Sequence, residues 1–156
     1  MFINKINSLL FNVLFNIFSK TIDNKFYNFN NNKLKQSKIN NENIRINYEY
    51  RIKSLDKCFY KIYAKNKLVY DIYGIRIIYN NTNNINDIQT AYLIQSIIKD
   101  NFFVIDKFED DYIINPKSNN YQSLHMHIYY FLLIEIQIRN YNMHYNALNG
   151  SASNYF

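Results

Sequence analysis

Four groups of residues have the types and spacing to act on a charged substrate. Arg51, Lys53, Lys57 and Lys61 form the first, and the three lysines recur every four residues, which on a helix is one face. Such a run is either a solvated basic face or a cradle whose cations offset the charge of a triphosphate. Asp71 stands just before the apolar run IYGIRIIY, where a carboxylate either caps a turn or ligates a magnesium ion at a sheet's edge. Arg76 lies inside that same run, and an arginine in a buried strand needs an anionic partner. In LIEIQIR, a period of two puts Glu135, Gln137 and Arg139 on one face and Ile134, Ile136 and Ile138 on the other. That pattern describes a strand half in water, or one lining a cleft with Glu135 as metal ligand or general base. The fourth group is DYIINPKSNNYQSLHMH, residues 111 to 127, a loop with Pro116 and Lys117 that runs into a strand holding His125 and His127. Tyr121, at the end of that loop, either packs or stacks on a base.

These side chains need elements to hold them. Residues 44–50 alternate as a strand, and SLDKCFYKIYAKN predicts a helix over 54–65 with Ser54 as its N-cap. Residues 72–79 read as a buried strand, 86–100 as a helix, FFVIDKF as a short strand and NPKSNN as a loop. The alternation from Ser123 to Arg139 is too long for one ordinary strand, so it predicts two, joined by a tight turn near Phe131 and Leu132. A last short helix ends at Gly150. Helices and strands mixed in this order give an α/β (α+β) domain, with a mixed β-sheet flanked by helices. It is preceded by an N-terminal helix and an Asn-rich connector over 1–43, and the domain proper runs over 44–156.

Length and composition narrow the function. With 156 residues the chain holds one domain with a real core. A formal charge of +6 favours an anionic partner. Two glycines in the whole chain leave no P-loop and no dinucleotide fingerprint. Cys58 is the single cysteine, so no internal disulfide forms and a reducing compartment is expected. The three histidines and Cys58 lack the spacing of a zinc site. The start, MFINKINSLLFNVLFNIFSK, is broken by Asn7, Asn12 and Asn16 and is too short for a membrane span. Its apolar residues at Ile6, Leu9, Leu10, Val13, Leu14, Ile17 and Phe18 suit an amphipathic helix packed on the domain, with a targeting segment as the lesser reading.

In order and spacing, these blocks resemble the synthetase domain of the RelA/SpoT family. DYIINPKSNNYQSLH is similar to that family's DYIxxPKxNGYQSLH, and IEIQIRN resembles VEVQIRT. RIKSLDKCFYK is similar to RxKxxxSxxxK, DIYGIRIIY to the strand with the magnesium-binding aspartate, and MHYNALNGSASNYF to MHxxAExGxAAHWxY. The resemblance covers residues 51 to 156 and implies a nucleotidyltransferase-like synthetase fold of the small, synthetase-only kind, or a domain cut from a longer member. It implies a GTP pyrophosphokinase that moves pyrophosphate from ATP to the ribose 3′-hydroxyl of GDP or GTP, leaving AMP and (p)ppGpp. Mg2+ is the implied cofactor, with Asp71 as ligand and Glu135 as second ligand or general base. Tyr121 would stack on guanine, Arg51, Lys53 and Lys61 would serve the ATP end, and Arg76, Lys117, His125, Gln137, Arg139 and His144 would line the site. ATP and GDP or GTP are thus the expected partners, and DNA is not. A homo-oligomer is left open, and the compartment would be the cytoplasm or the stroma or matrix of an organelle. The family's hydrolase motif finds no counterpart, because every histidine lies at or after His125.

The sequence also departs from the family. Lys57 replaces a serine, Asn120 a glycine and Leu148 a glutamate, and Asn154 and Tyr155 replace a His-Trp pair. Glu109, Asp110 and Asp111 come nearer the family's acidic ExDD than its basic RxKD. No arginine between Arg76 and Arg139 can provide the second face of an adenine sandwich. The alternative reading is therefore a catalytically weakened or inactive guanine-nucleotide-binding regulatory module.

Overall fold

The computed structural model describes residues 9, 11–25, 44–81 and 87–151. The Asn-rich connector and the Asn154–Tyr155 departure lie outside them. Helix α1 covers residues 11–25 and strand β1 runs Ile44–Ile52. A short helix α2, Leu55–Phe59, widens into a π turn over Tyr60–Ala64. Then come β2 (Tyr73–Asn81), α3 (Asp87–Asn101), β3 (Phe103–Val104), β4 (Asp110–Asp111), β5 (Leu124–Tyr130), β6 (Leu132–Asn140) and α4 (Tyr141–Asn149). The sheet is mixed, in the order β1-β2-β6-β5-β3, with β4 also paired to β5. Only β2 and β6 are parallel; their neighbours all run antiparallel.

Alternation divides the sheet into an apolar and a polar face. Ile75, Ile77, Ile134, Ile136, Ile138, Leu124, Met126 and Ile128 all point one way and are buried. Helices α1 and α3 cover that side, α3 through Ala91, Ile94, Ile97 and Ile98. Helix α1 belongs to the same core. Phe11 packs against Tyr50 and Tyr73, Phe15 against Tyr48, and Phe18 against Phe102. The Tyr48 hydroxyl donates to Asp23 at 2.6 Å, and burial, helped by that bond, pushes the phenol's pKa far up.

The amphipathic helix is where the sequence places it, but its buried stripe differs. Phe11, Leu14, Phe18 and Ile22 face the core, while Leu9, Val13 and Ile17 are exposed. The apolar positions are dense enough to draw two stripes, and the large aromatic rings take the side facing the sheet. The expected helix over 54–65 is also modified. Ser54 holds the N-cap position with no side-chain bond, and its carbonyl accepts the Cys58 N–H at 3.1 Å. The β5–β6 turn needs a left-handed residue, and with no glycine or asparagine available Phe131 itself adopts φ 58°.

The helix–core assignment has a clear test. Phe18→Ala should cost about 3–5 kcal/mol in urea unfolding, the range for emptying a buried aromatic site. Ile17→Ala, on the exposed stripe, should change stability by no more than about 0.5 kcal/mol.

Candidate active site

The polar face is ordered into cross-strand rows. Register places Arg51, Gly74, Glu135 and His127 side by side on β1, β2, β6 and β5. The next row holds Glu49, Arg76, Gln137 and His125. Arg139 follows one step further along β6. Members of all four groups singled out in the sequence are thereby gathered on one face of the sheet.

Arg51 ties the centre together. Its Nη2 lies 2.7 Å from Glu135 Oε2 and 3.9 Å from Asp71 Oδ2. The guanidinium crosses β2 to reach β6 because the intervening residue is Gly74. A Cβ there would sit 3.1 Å from Arg51 Nε and 3.2 Å from its Cγ. Lys53 and Lys61 close on the other carboxylate, with Nζ at 2.6 Å and 3.0 Å from Asp71. Burial raises the Asp71 pKa, but the hydrogen bonds and charges of those two lysines outweigh it and leave the group below the ordinary carboxylate range. Lys57 is exposed and Leu148 lies on the outer side of α4.

Glu135 is the hub of the second half. It is 7% exposed and accepts from Gln137 Nε2 at 2.8 Å, while His125 Nδ1 stands 3.3 Å from its other oxygen. Burial again raises the pKa, yet His125 and Arg51 overcome it and hold Glu135 well below the usual range. The other ring nitrogen of His125, Nε2, lies 2.7 Å from the Tyr121 hydroxyl, so the imidazole bridges Glu135 and Tyr121. Gln137 Oε1 accepts from Arg139 at 2.5 Å and from Arg76 Nε at 3.3 Å. Arg76 also pairs with Glu49 at 3.2 Å, and Glu49 lies 3.6 Å from His144. Burial depresses the pKa of both Arg139 and His144.

Tyr121 is held as a platform from several sides. Arg139 stacks over its ring at 5.4 Å, and Lys117 stands 5.3 Å from it and 4.3 Å from Tyr112. The loop before it closes through Asn120, whose N–H donates to the Lys117 carbonyl at 2.8 Å. Asn120 has φ 60°, the left-handed conformation a glycine would supply, and asparagine is among the residues that tolerate it. The residues that the resemblance implies for the site thus enter one network, from Lys61 at one end to His144 at the other. The sequence did not single out Gly74 or Glu49. Gly74 was detectable as a glycine inside a β-branched strand, and Glu49 as the residue two before Arg51 on the same face.

Comparison with known proteins agrees with this architecture. A family model described as "Region found in RelA / SpoT proteins" matches residues 50–155. A guanosine-3′,5′-bis(diphosphate) 3′-pyrophosphohydrolase from Aquifex aeolicus is 34% identical over 127 residues, 76% of this chain and 17% of that protein. A GTP pyrophosphokinase from Haemophilus influenzae is 35% identical over 93 residues, 56% of this chain and 11% of its own length. The chain therefore spans less than a fifth of these curated relatives. Among solved structures, small alarmone synthetase 2 from Bacillus subtilis aligns with TM-score 0.59 and 26% identity, covering 87% of this chain and 73% of that one. No helix among the described residues is long and apolar enough to cross a membrane.

The depressed carboxylates set the acid behaviour of the fold. Glu135 and Asp71 bind protons more weakly folded than unfolded, so they stabilise the fold above their ordinary values of 4.5 and 3.8. That contribution should fade as pH falls below about 4.5 and through the lowered folded values. Glu135→Gln should cost about 1.5–3 kcal/mol at pH 7, the range for hydrogen bonds to a charged group. It should also flatten the acid limb, as read by urea unfolding across pH 2–7.

Proposed function

The chain belongs to the RelA/SpoT family, and from that premise we propose that it is a (p)ppGpp synthetase, transferring pyrophosphate from ATP to the 3′-hydroxyl of GDP or GTP. The observation that carries the reading is the joining of Asp71, Glu135 and Tyr121, from three separate stretches of the chain, into one network of ion pairs and hydrogen bonds through Arg51 and His125. Hydrolysis, named for the Aquifex relative, belongs to a protein of which this chain matches 17%.

The residues divide the work by position. Arg51, Lys53 and Lys61 offset the charge of the donor triphosphate. Tyr121, faced by Arg139 and Lys117, takes the guanine by stacking, and His125, Gln137, Arg76 and His144 line the acceptor side. Glu135 lies between the two halves. The acceptor's 3′-oxygen forms the new bond to the donor β-phosphorus as the α–β phosphoanhydride bond breaks. AMP leaves with the electron pair, and the hydroxyl proton passes to Glu135.

In the ligand-free arrangement Glu135 is a poor base, because Arg51 and His125 stabilise its charged form. Arrival of the triphosphate gives Arg51 a competing anion. Once it turns to the phosphates, Glu135 loses a cationic partner and its proton affinity rises. Ligand binding and base activation are then one event.

The donor set fits Mg2+. Asp71 and Glu135 are hard, ionised oxygen donors already gathered about one cation, and magnesium takes one or two carboxylates together with substrate phosphates. Bound there, it would shield the phosphate charge against the incoming oxygen. Intracellular nucleotides as substrates and the single cysteine Cys58, which is free, favour a reducing compartment such as the cytoplasm or an organellar stroma or matrix.

Incubation with Mg2+, ATP and GDP or GTP should give AMP and the 3′-pyrophosphorylated product by anion-exchange chromatography. Glu135→Gln should lower kcat about 10²–10⁴-fold, the usual span for losing a general base, with nucleotide binding retained. Tyr121→Ala should weaken acceptor binding roughly 5- to 150-fold, from about 1–3 kcal/mol of lost stacking. Tight guanine-nucleotide binding with no AMP release in the unaltered protein would instead establish a binding module without turnover.

A further inference from the structure

Strand β1 is outermost on its side of the sheet, and among the described residues only one of its edges is paired. It runs antiparallel to β2 over all of Ile44–Ile52, in a register without a bulge. Sheet edges are usually blunted by proline, lysine or a bulge, because unpaired N–H and C=O groups invite another strand. IRINYEYRI has no proline and no lysine, and its charges, Arg45, Glu49 and Arg51, are of both signs. Lys53, just past the strand, donates its N–H to the Ile72 carbonyl at 2.8 Å and continues the same register. Backbone direction alternates along a strand. The odd-numbered residues therefore address β2, while Ile44, Ile46, Tyr48 and Tyr50 direct their N–H and C=O groups outward.

This strand is complementary to itself in one antiparallel register. With Asn47 opposite Asn47 of a second copy, Arg45 faces Glu49 twice on the polar face. On the other face Ile46 meets Tyr48 and Ile44 meets Tyr50. Centring on Tyr48 instead sets Arg45 against Arg51, and centring on Glu49 sets that carboxylate against itself. Centring on Ile46 leaves Arg45 facing Asn47. Charge therefore selects the Asn47 register. In it the outward-directed residues form the hydrogen-bonded pairs, and Arg45 and Glu49 take the non-hydrogen-bonded positions, where side chains approach most closely. Arg45 is exposed and has no ion pair among the described residues, so the pairing breaks no existing contact of that side chain.

We propose that β1 is a docking edge for a second copy of this chain, joined strand to strand about a two-fold axis through Asn47, so that one sheet runs through both molecules. That axis stands perpendicular to the sheet, which sets the two polar faces on the same side. Arg45 of the second copy then meets Glu49, whose carboxylate already pairs with Arg76 at 3.2 Å and lies 3.6 Å from His144. Glu49 has room for it, its side chain being 45% exposed. Each cleft is completed at its β1 side by a cation from the other chain. The occupant is another copy and not an unrelated strand, because symmetry makes the one favourable charge match twice.

Sedimentation equilibrium of the full chain should show a monomer–dimer equilibrium. Arg45→Glu places like charges at both symmetric positions and should weaken association about 10- to 100-fold. Ile46→Pro removes an outward N–H while sparing the ladder to β2, and should weaken association with urea unfolding still cooperative. Cysteine pairing in a Cys58→Ser background reads the register. Asn47→Cys lies on the axis and should form an intermolecular disulfide on mild oxidation, because such pairs bring Cα atoms within disulfide reach. Ile17→Cys, on the exposed stripe of α1, should stay reduced. A dimer that persists unweakened in Arg45→Glu, or that cross-links through Ile17→Cys and not Asn47→Cys, is built on another surface and overturns the proposal. A chain that remains monomeric at every concentration overturns it too. None of these readouts involves turnover, so the pyrophosphate-transfer reading is tested separately.

Discussion

The strand Leu132–Asn140 buries a carboxylate, an amide and a guanidinium in succession at the middle of the sheet. Glu135, Gln137 and Arg139 are 7%, 6% and 3% exposed, on a strand whose other face is filled by isoleucines. Burying such groups is affordable only if each finds hydrogen-bonded or charged partners. Much of the polar face answers that requirement. Arg51 reaches over from β1, His125 comes from β5, Arg76 from β2, and Tyr121 follows from the loop that delivers His125. Gly74 is part of the same solution, since the arginine can meet the carboxylate only by lying across a residue with no side chain.

Meeting this requirement produces a site that is internally neutralised. The cations suited to a polyphosphate are held by the carboxylates suited to a metal ion. Each half keeps the other oriented, so the donor set is arranged before any ligand arrives. A ligand must then displace an existing partner, which makes isolated anions and isolated divalent cations weaker competitors than the two together. The Tyr121 end is arranged differently: Arg139 and Lys117 face its ring, and under the proposed function a flat base would meet that end through its π-surface more than through net charge.

Much of this was legible in the sequence, for reasons that differ by element. The alternation of IEIQIR allows one strand with two opposed faces, so the Glu135 row could be read without coordinates. The same logic separates β5 from β6, although the residue that turns between them could not be read, because Phe131 carries no signal for a left-handed conformation. Asn120 was legible as a departure from a motif but not as its conformational equivalent. The orientation of α1 was hidden by too many apolar residues on too many sides. Its buried face is decided by which rings fit Tyr48, Tyr50 and Tyr73.

The parallel pairing of β2 with β6 has a consequence for how the protein comes to exist. Arg76 and Gln137, bonded across that pair, are 61 positions apart in the chain. The central ladder forms only after the long intervening segment has closed, a slow step that local propensity does little to hasten. A slip of one residue there would turn Glu135, Gln137 and Arg139 into the isoleucine core, so misregistered intermediates are strongly penalised. Core and site are thus completed in the same cooperative event. A molecule that reaches its native fold emerges with its cleft already assembled, and damage to that register removes structure and function together.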